Sequence, residues 1–228
     1  MVKIIKMPTL NLYKYDGFVL TKGDTSPEAV SLSIFCLLNS IPLIYIPQNQ
    51  IIPHNYIPCG GVEWCEQTLG KHITPDYYPE WASEYLYRKV WLEDKWILEK
   101  KLFVKPADRY KRFNGFITTG TYKQKKKGKL IWSEIIHFDN EWRYYISHGI
   151  VLTSGWYSGD DVNTPNAPEL NINIPKEYCG ALDFGMTNHG LTLIESQHPF
   201  ACGWYGPKEQ DYLYFQWLIE GWIYMKKI

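Results

Sequence analysis

Two glycine turns between apolar runs constrain this chain more than any other feature. Glu141 to Ser147 and Gly149 to Gly155 meet at His148-Gly149, and Tyr178 to Phe184 and Leu191 to Glu195 meet around Asn188-His189-Gly190. Short apolar strands joined by such turns form antiparallel hairpins. The pattern begins further upstream. Leu102-Phe103-Val104 reads as a short strand that ends at Lys105-Pro106. Gly115 to Tyr122 and Lys129 to Phe138 read as two more strands, joined by the segment Lys123 to Gly128. Asp211 to Met225, with Trp217 and Trp222, reads as a closing helix.

The first part of the chain follows another plan, a βαβ-like beginning. Ser26-Pro27-Glu28 supplies a capping hydroxyl, a proline suited to the first helical position and an early acid, so a helix is expected to about Leu38. Ile41 to Ile46 reads as a buried strand ended by Pro47. Residues 47 to 62, with Pro47, Pro53, Pro58 and Gly60-Gly61, read as loop, and Glu63 to Leu69 as a short helix. Pro75 to Pro79 is a turn. Trp81, Tyr85, Leu86 and Val90 fall at helical spacing, which predicts a helix over Glu80 to Leu92. A boundary is expected near 95 to 100, between an N-terminal α/β segment (1–95) and a strand-rich domain (96–228).

Composition excludes several classes. The chain has 228 residues, 45% of them apolar and 21% charged, which is globular rather than disordered. Its 24 Lys and Arg balance 24 Asp and Glu, so no global field draws it onto nucleic acid or an anionic membrane. The most apolar window, Leu32 to Pro47, is interrupted by Asn39, Ser40 and Pro42 and is shorter than the roughly 20 residues of a membrane span. Cys36, Cys59, Cys65, Cys179 and Cys202 are odd in number and complete no zinc pattern. Free thiols in a reducing compartment are expected, hence a cytoplasmic protein.

Candidate chemistry collects in the second part. Lys105, at a strand end before Pro106, is placed either to hold a phosphate or as an ordinary surface lysine. Glu134 sits in the apolar run Ile131-Trp132-Ser133-Glu134-Ile135-Ile136, where it would either bond a ligand such as a ribose or base or face outward. Arg143 can fork onto a phosphate or pair with a carboxylate. Asp183 and Glu195 lie on two strands joined by a tight turn, and side by side they would repel unless a cation lay between them. With the amide oxygen of Gln197 they form a hard oxygen set suited to Mg2+; the alternative is a pair of solvated strand acids. The run Lys123 to Lys129 holds five lysines in seven positions, read as a solvated hairpin tip or as a flap over a polyanion. Neither a glycine-rich phosphate loop nor a Ser/His/Asp arrangement is present.

The order of these features resembles the ATP-grasp superfamily. The segments that carry the resemblance are Phe103-Val104-Lys105-Pro106-Ala107-Asp108, Trp132-Ser133-Glu134, Glu141-Trp142-Arg143, Ala181-Leu182-Asp183 and Ile194-Glu195-Ser196-Gln197. More narrowly, Tyr85-Leu86-Tyr87-Arg88-Lys89-Val90-Trp91 followed by Lys105-Pro106-Ala107-Asp108-Arg109-Tyr110-Lys111 is similar to a compact branch, frequent in phages, named for an arginine and two lysines. The resemblance implies an α+β fold: an ATP-grasp-like clamp of two α+β subdomains, preceded by a shortened α/β segment. It implies that Lys105 and Arg143 bind phosphate and serve catalysis, that Glu134 and Lys89 contact the nucleotide, and that Asp183, Glu195 and Gln197 hold Mg2+. Arg88, Lys111 and Arg112 are further candidates.

The implied function is an ATP- and Mg2+-dependent ligase that joins a carboxylate to an amine or thiol through an acylphosphate. In a viral setting it would act in the host cytoplasm. Gln197 stands where the family usually has Asn, which motivates an alternative, an ATP-grasp-like binding protein without turnover. A third reading is nucleic-acid contact through Lys123–Lys129.

Overall fold

The computed structural model describes residues 10–97, 100–108, 113–118, 128–159 and 165–228. Lys111, Arg112 and Lys123 to Lys127 lie outside the described residues.

The chain opens with β1 (Gly17–Thr21), α1 (Pro27–Leu38), β2 (Leu43–Ile46), β3 (Tyr56–Pro58) and α2 (Val62–Leu69). The three strands form a parallel sheet in the order β2-β1-β3. Phe18, Val19 and Leu20 of the central strand are fully buried, as a parallel strand covered on both faces requires. The expected cap of α1 is formed: the Ser26 hydroxyl accepts from Ala29 N at 3.3 Å, and Pro27 opens the helix. The α2 helix ends at Gly70 in the left-handed conformation, which glycine adopts at little cost. One expectation is corrected here. Residues 56 to 58, read as loop, form β3, whose signal is only three residues long and includes Pro58. A proline is tolerated there because β3 is an edge strand.

A second correction concerns Glu80 to Leu92. The helix is a 3-10 turn over Glu80–Tyr85, followed by β4 (Val90–Glu93). The positive φ of Tyr87 (46°) breaks the helix, and Val90 then pairs with Ser133. The spacing still has meaning, since Trp81, Tyr85 and Leu86 pack on the core cluster around Tyr144, Leu182 and Phe184.

Next come β5 (Phe103–Pro106), β6 (Phe116–Ile117) and β7 (Leu130–Ser133). With β4 they form an antiparallel sheet in the order β4-β7-β5-β6. The strand expected to reach Phe138 stops at Ser133. There Glu134 N donates to Lys89 O at 3.0 Å and the Glu134 carboxylate accepts from Lys89 N at 2.8 Å, which closes the ladder with β4.

The last sheet holds the two expected hairpins, β8 (Asn140–Ser147) with β9 (Ile150–Gly159), and β10 (Gly180–Thr187) with β11 (Gly190–Gln197). Its order is β11-β10-β8-β9. His148 and Gly149 both take positive φ (50° and 73°), the twist a two-residue hairpin needs. One face of this sheet carries Trp142, Tyr144, Leu182, Phe184 and Leu193. The other packs on α3 (Asp211–Lys227) along β8 and β9. Buried Trp217 of α3 donates to both Ile146 O (3.1 Å) and Gly180 O (3.0 Å), which fixes the helix on β8 and β10. Phe215, Trp217 and Trp222 share one core with Phe18, Leu32, Trp64 and Tyr145, so α3 joins the parallel sheet to the antiparallel one. Burying each such side chain stabilises the fold by about 1.5–3 kcal/mol.

Helix α3 meets the segment after β11 at Gly221, where an added Cβ would lie 2.0 Å from Pro199 O. Alanine favours a helix over glycine by about 1 kcal/mol. Forced overlap with backbone costs about 1–3 kcal/mol. Because the overlap is with backbone, which yields little, Gly221→Ala is expected to lower stability by up to about 2 kcal/mol despite its better helix propensity, as read by urea unfolding.

Candidate functional site

The register of the last sheet brings the charged residues together. Asp183 of β10 lies opposite Glu195 of β11 on one side and opposite Arg143 of β8 on the other, and Arg143 lies opposite Gly155 of β9. Residues opposite one another in antiparallel strands share a face. Glu195, Asp183, Arg143 and Gly155 thus form one row across four strands. Arg143 donates Nε to Asp183 Oδ1 and Nη2 to Asp183 Oδ2, both at 2.7 Å, a two-pronged ion pair. Lys105, from the end of β5 in the neighbouring sheet, donates its ammonium to Glu195. The sequence of charge is Lys105, Glu195, Asp183, Arg143: a cation at each end and two acids between.

The row is largely dry. Asp183 is 2% exposed, and the Lys105, Arg143 and Glu195 side chains are 13%, 12% and 20% exposed. For Lys105, burial works against the charge, but Glu195 and Tyr78 outweigh it and hold the ammonium above its ordinary pKa. For Arg143, burial is likewise outweighed by the Asp183 hydrogen bonds and charge, and its pKa is raised. Burial pushes the Asp183 carboxyl up, against the pull of Arg143, and Glu195 adds to the rise. Gln197 donates its amide to Glu195, so its nitrogen, not its oxygen, faces the carboxylate. Aromatic rings close the row: Lys105 Nζ lies 4.4 Å from the Tyr77 ring centroid and 5.0 Å from that of Tyr78, and Arg143 Cζ lies 5.3 Å from that of Tyr205. At Gly155 a Cβ would fall 2.2 Å from the Tyr205 carbonyl carbon, so glycine lets that cover approach.

A cleft of about 460 Å³ opens between the two antiparallel sheets. Phe103, Ile117, Ile135, Ile136 and Phe138 give it an apolar wall, and Lys105, Arg88, Glu134, Glu141 and Glu195 supply its charges. Of the residues singled out in the sequence, it therefore gathers Lys105, Glu134, Glu195 and Arg88. Arg143 and Asp183 adjoin it through Glu195 along the row. The Lys89 ammonium lies 5.6 Å from the Trp91 ring centroid, and Lys89 and Gln197 do not line the cleft. Glu134 is exposed and is held by the Lys89 backbone, as described above.

Tyr77, Tyr78, Phe138 and Glu141 line the cleft and were not singled out in the sequence. Tyr77 lies in a stretch read only as a turn, and its carbonyl accepts from Ser196 N at 2.8 Å, which docks the turn on β11. Burial, chiefly, pushes the Tyr77 hydroxyl up to about 12. The signal to be read was the Tyr77-Tyr78 pair between two prolines. For Glu141 it was its place two residues before Arg143 on one strand, hence on the same face.

Among the described residues no group of three or more His, Cys, Asp and Glu gathers as a metal site. Mg2+ needs fewer protein ligands, since it is held by one or two carboxylates together with waters and substrate phosphates. Asp183 and Glu195, facing each other across one rung, fit that role; Gln197 would join them only with its amide turned.

Glu141 provides a test of the local field. Burial raises its pKa, Tyr157 opposes the rise, and Asp183 and Glu195 add to it. An acid whose folded value is raised makes stability fall as pH climbs from the unfolded value through the folded one. Glu141→Gln in the nucleotide-free protein is therefore expected to melt higher than wild type at pH 7. That gap should close as pH falls to about 4.3, the ordinary glutamate value.

The family model for the ATP-grasp domain of the clade named for an arginine and two lysines, family 2, matches residues 85–215. Every site residue named from the sequence falls inside that span. Among solved structures the chain is similar to the ATP-grasp ligase PsnB complexed with minimal precursor, at 8% identity and a TM-score of 0.46, covering 80% of this chain and 90% of that one. It is also similar to the D-alanine–D-alanine ligase from Bacillus anthracis, at 12% identity and a TM-score of 0.45, covering 92% and 98% of the two chains. The same ligase complexed with ATP gives a TM-score of 0.46 at the same identity and coverage. No curated protein matches the chain. The family match spans more than half of the 228 residues, and the chain belongs to the ATP-grasp domain family, in family 2 of the clade named for an arginine and two lysines.

Proposed function

We propose that this protein is an ATP- and Mg2+-dependent ligase that activates a carboxylate as an acylphosphate and transfers the acyl group to an amine or thiol. The observation that carries the reading is a cleft whose lining combines an apolar wall with Lys105 and Glu195, two members of the row Lys105-Glu195-Asp183-Arg143. An adenine is flat and largely apolar, with polar edges. The wall of Phe103, Ile135, Ile136 and Phe138 suits its faces, and Glu134 suits the ribose hydroxyls.

The chain's own residues would act as follows. Lys105 and Arg143 neutralise phosphate charge and align the γ-phosphorus for attack by the substrate carboxylate. A carboxylate oxygen forms the new bond to phosphorus as the bond to ADP breaks. The amine or thiol then attacks the acyl carbon, inorganic phosphate departs and the nucleophile's proton passes to solvent or a base. Asp183 and Glu195 would hold Mg2+, which supplies charge neutralisation across the phosphates. No covalent side-chain intermediate is needed. The tyrosines around Lys105 exclude water, which strengthens each charge interaction.

A binding protein without turnover is the second reading, and it is favoured by the Gln197 amide, which now presents its donor to Glu195. Nucleic-acid contact through Lys123–Lys129 would be an additional role, with single-stranded nucleic acid as the partner. The five buried cysteine thiols support a reducing compartment such as the cytoplasm. Among the described residues no helix is long and apolar enough to cross a membrane.

Calorimetric titration with a non-hydrolysable ATP analogue, with and without Mg2+, tests the reading. Binding is expected to strengthen with Mg2+, and the Asp183→Asn/Glu195→Gln protein should lose that dependence. Lys105→Ala should weaken binding about ten- to a hundredfold, as expected for loss of one charge-assisted phosphate contact. Absence of binding to the wild type would refute the reading.

A further inference from the structure

Arg88 lines the cleft, yet its guanidinium is already spoken for. Such a group has five N–H donors and no acceptor. Nε donates to Ser133 Oγ at 3.0 Å, Nη1 to Leu86 O at 3.1 Å and Leu193 O at 2.7 Å, and Nη2 to Ile194 O at 3.1 Å. Four of the five donors are taken, which leaves a single N–H on Nη2 and no two-pronged grip for a phosphate.

The acceptors are as informative as their number. The β10–β11 ladder pairs Asp183 with Glu195 and then Phe184 with Leu193, so Ile194 is the extra residue of a β-bulge. A bulge takes backbone groups out of the ladder, and buried ones need another partner. Arg88 takes the two carbonyls at this bulge, those of Leu193 and Ile194. Without the bulge, Glu195 would not stand opposite Asp183 while Leu193 stands opposite Phe184. The register of the row is tied to this irregularity.

The other end of Arg88 reaches the second sheet. Ser133, which accepts from Nε, donates its hydroxyl to Glu134 O at 2.7 Å. The next residue, Lys89, grips Glu134 through both of its backbone groups. Residues 88 and 89 therefore connect the bulge beside Glu195 with Glu134, across two sheets. Tyr78 lines the same cleft, with its ring centroid 5.0 Å from the Lys105 ammonium.

We propose that Arg88 is a positioning residue that braces the β11 bulge against the end of β7, and so sets the distance between Glu134 and Glu195 in the cleft, rather than a ligand of the nucleotide. The proposal rests on the ATP reading for its functional consequence. Its structural half concerns the nucleotide-free protein alone.

The experiment compares wild type, Arg88→Lys and Lys105→Ala. Lysine keeps the charge of Arg88 but cannot bridge its acceptors. Hydrogen exchange is measured on nucleotide-free protein, and calorimetric affinities are measured for adenosine and for the ATP analogue with Mg2+. In Arg88→Lys, amides of residues 193–196 should exchange at least tenfold faster while those of α3 stay unchanged. Adenosine and the ATP analogue should lose affinity by the same factor, about tenfold or more, because the two sheets that line the cleft shift relative to one another. Lys105→Ala removes a phosphate contact as well as a tie between the sheets, and should weaken the ATP analogue by a larger factor than adenosine.

Three results would overturn the proposal. Affinity lost for the ATP analogue alone would make Arg88 a phosphate contact. A lowered melting temperature with both affinities intact would make it merely structural. Unchanged exchange at 193–196 would remove the brace. If wild type binds neither ligand, the ATP reading fails, and the exchange measurement still decides whether Arg88 braces the bulge.

Discussion

Two carboxylates facing each other on one rung of a β-sheet are the constraint on which the rest of this structure depends. Asp183 and Glu195 occupy opposed positions on β10 and β11, in a region where Asp183 is almost wholly shielded from water. Two like charges about 4 Å apart repel by about 4 kcal/mol at an effective dielectric near 20. Such a pair persists only with a cation at hand. The fold supplies one to each acid, from different places: Arg143 from the adjacent strand, and Lys105 from the end of a strand in another sheet. The second ion pair is thus also a tie between the two sheets that wall the cleft. A buried pair contributes little net stability, because desolvation offsets attraction, but loss of one partner is costly. Each cation is therefore required by its acid, and the sheets are held at the spacing that satisfies both.

Much of this was legible in the sequence because the informative signals are local. The turns at His148-Gly149 and Asn188-His189-Gly190 specify hairpins, and the hairpins bring Asp183 close to Glu195. The α1 cap and the Trp-bearing α3 carry their own signals in Ser26-Pro27-Glu28 and in the spacing of Trp217 and Trp222. What could not be read depends on contacts distant in sequence. Helical spacing over Glu80 to Leu92 was half right, because the packing of Trp81 and Tyr85 is helical in pattern while Val90 is claimed by a strand partner more than forty residues on. β3 has too few residues for any periodicity. The bulge at Ile194 leaves no mark of its own, and its presence decides which residue faces Asp183. Tyr77 and Tyr78 reach Lys105 through a backbone bond to Ser196, a contact that no spacing rule encodes.

Gln197 shows why identity alone does not settle a ligand's role. It lies on β11 opposite Ala181, one same-face position beyond Glu195, and its side chain bends back to donate to that carboxylate. The extra methylene relative to asparagine gives it the reach. In this arrangement its effect is to orient Glu195. Coordination through the amide oxygen would forfeit that bond. The two roles exclude one another for a single amide in a single orientation.

The row also bears on how the cleft can accept a highly charged ligand. Lys105, Glu195, Asp183 and Arg143 sum to zero charge, so the nucleotide-free site is neutral along its buried length. On the proposed reading, a nucleotide brings phosphates that compete for the two cations, and Mg2+ that competes for the two acids. Each internal ion pair then exchanges for an external one of the same sign pattern. The buried charges never lack a partner, and the cost of desolvating them is met when the protein folds rather than when it binds. A site built from unpaired acids would hold a metal tightly and a cation-free state badly. One built from unpaired cations would bind any anion. Pairing them across a single rung, with the second sheet contributing one end, favours a ligand that brings phosphate and metal together.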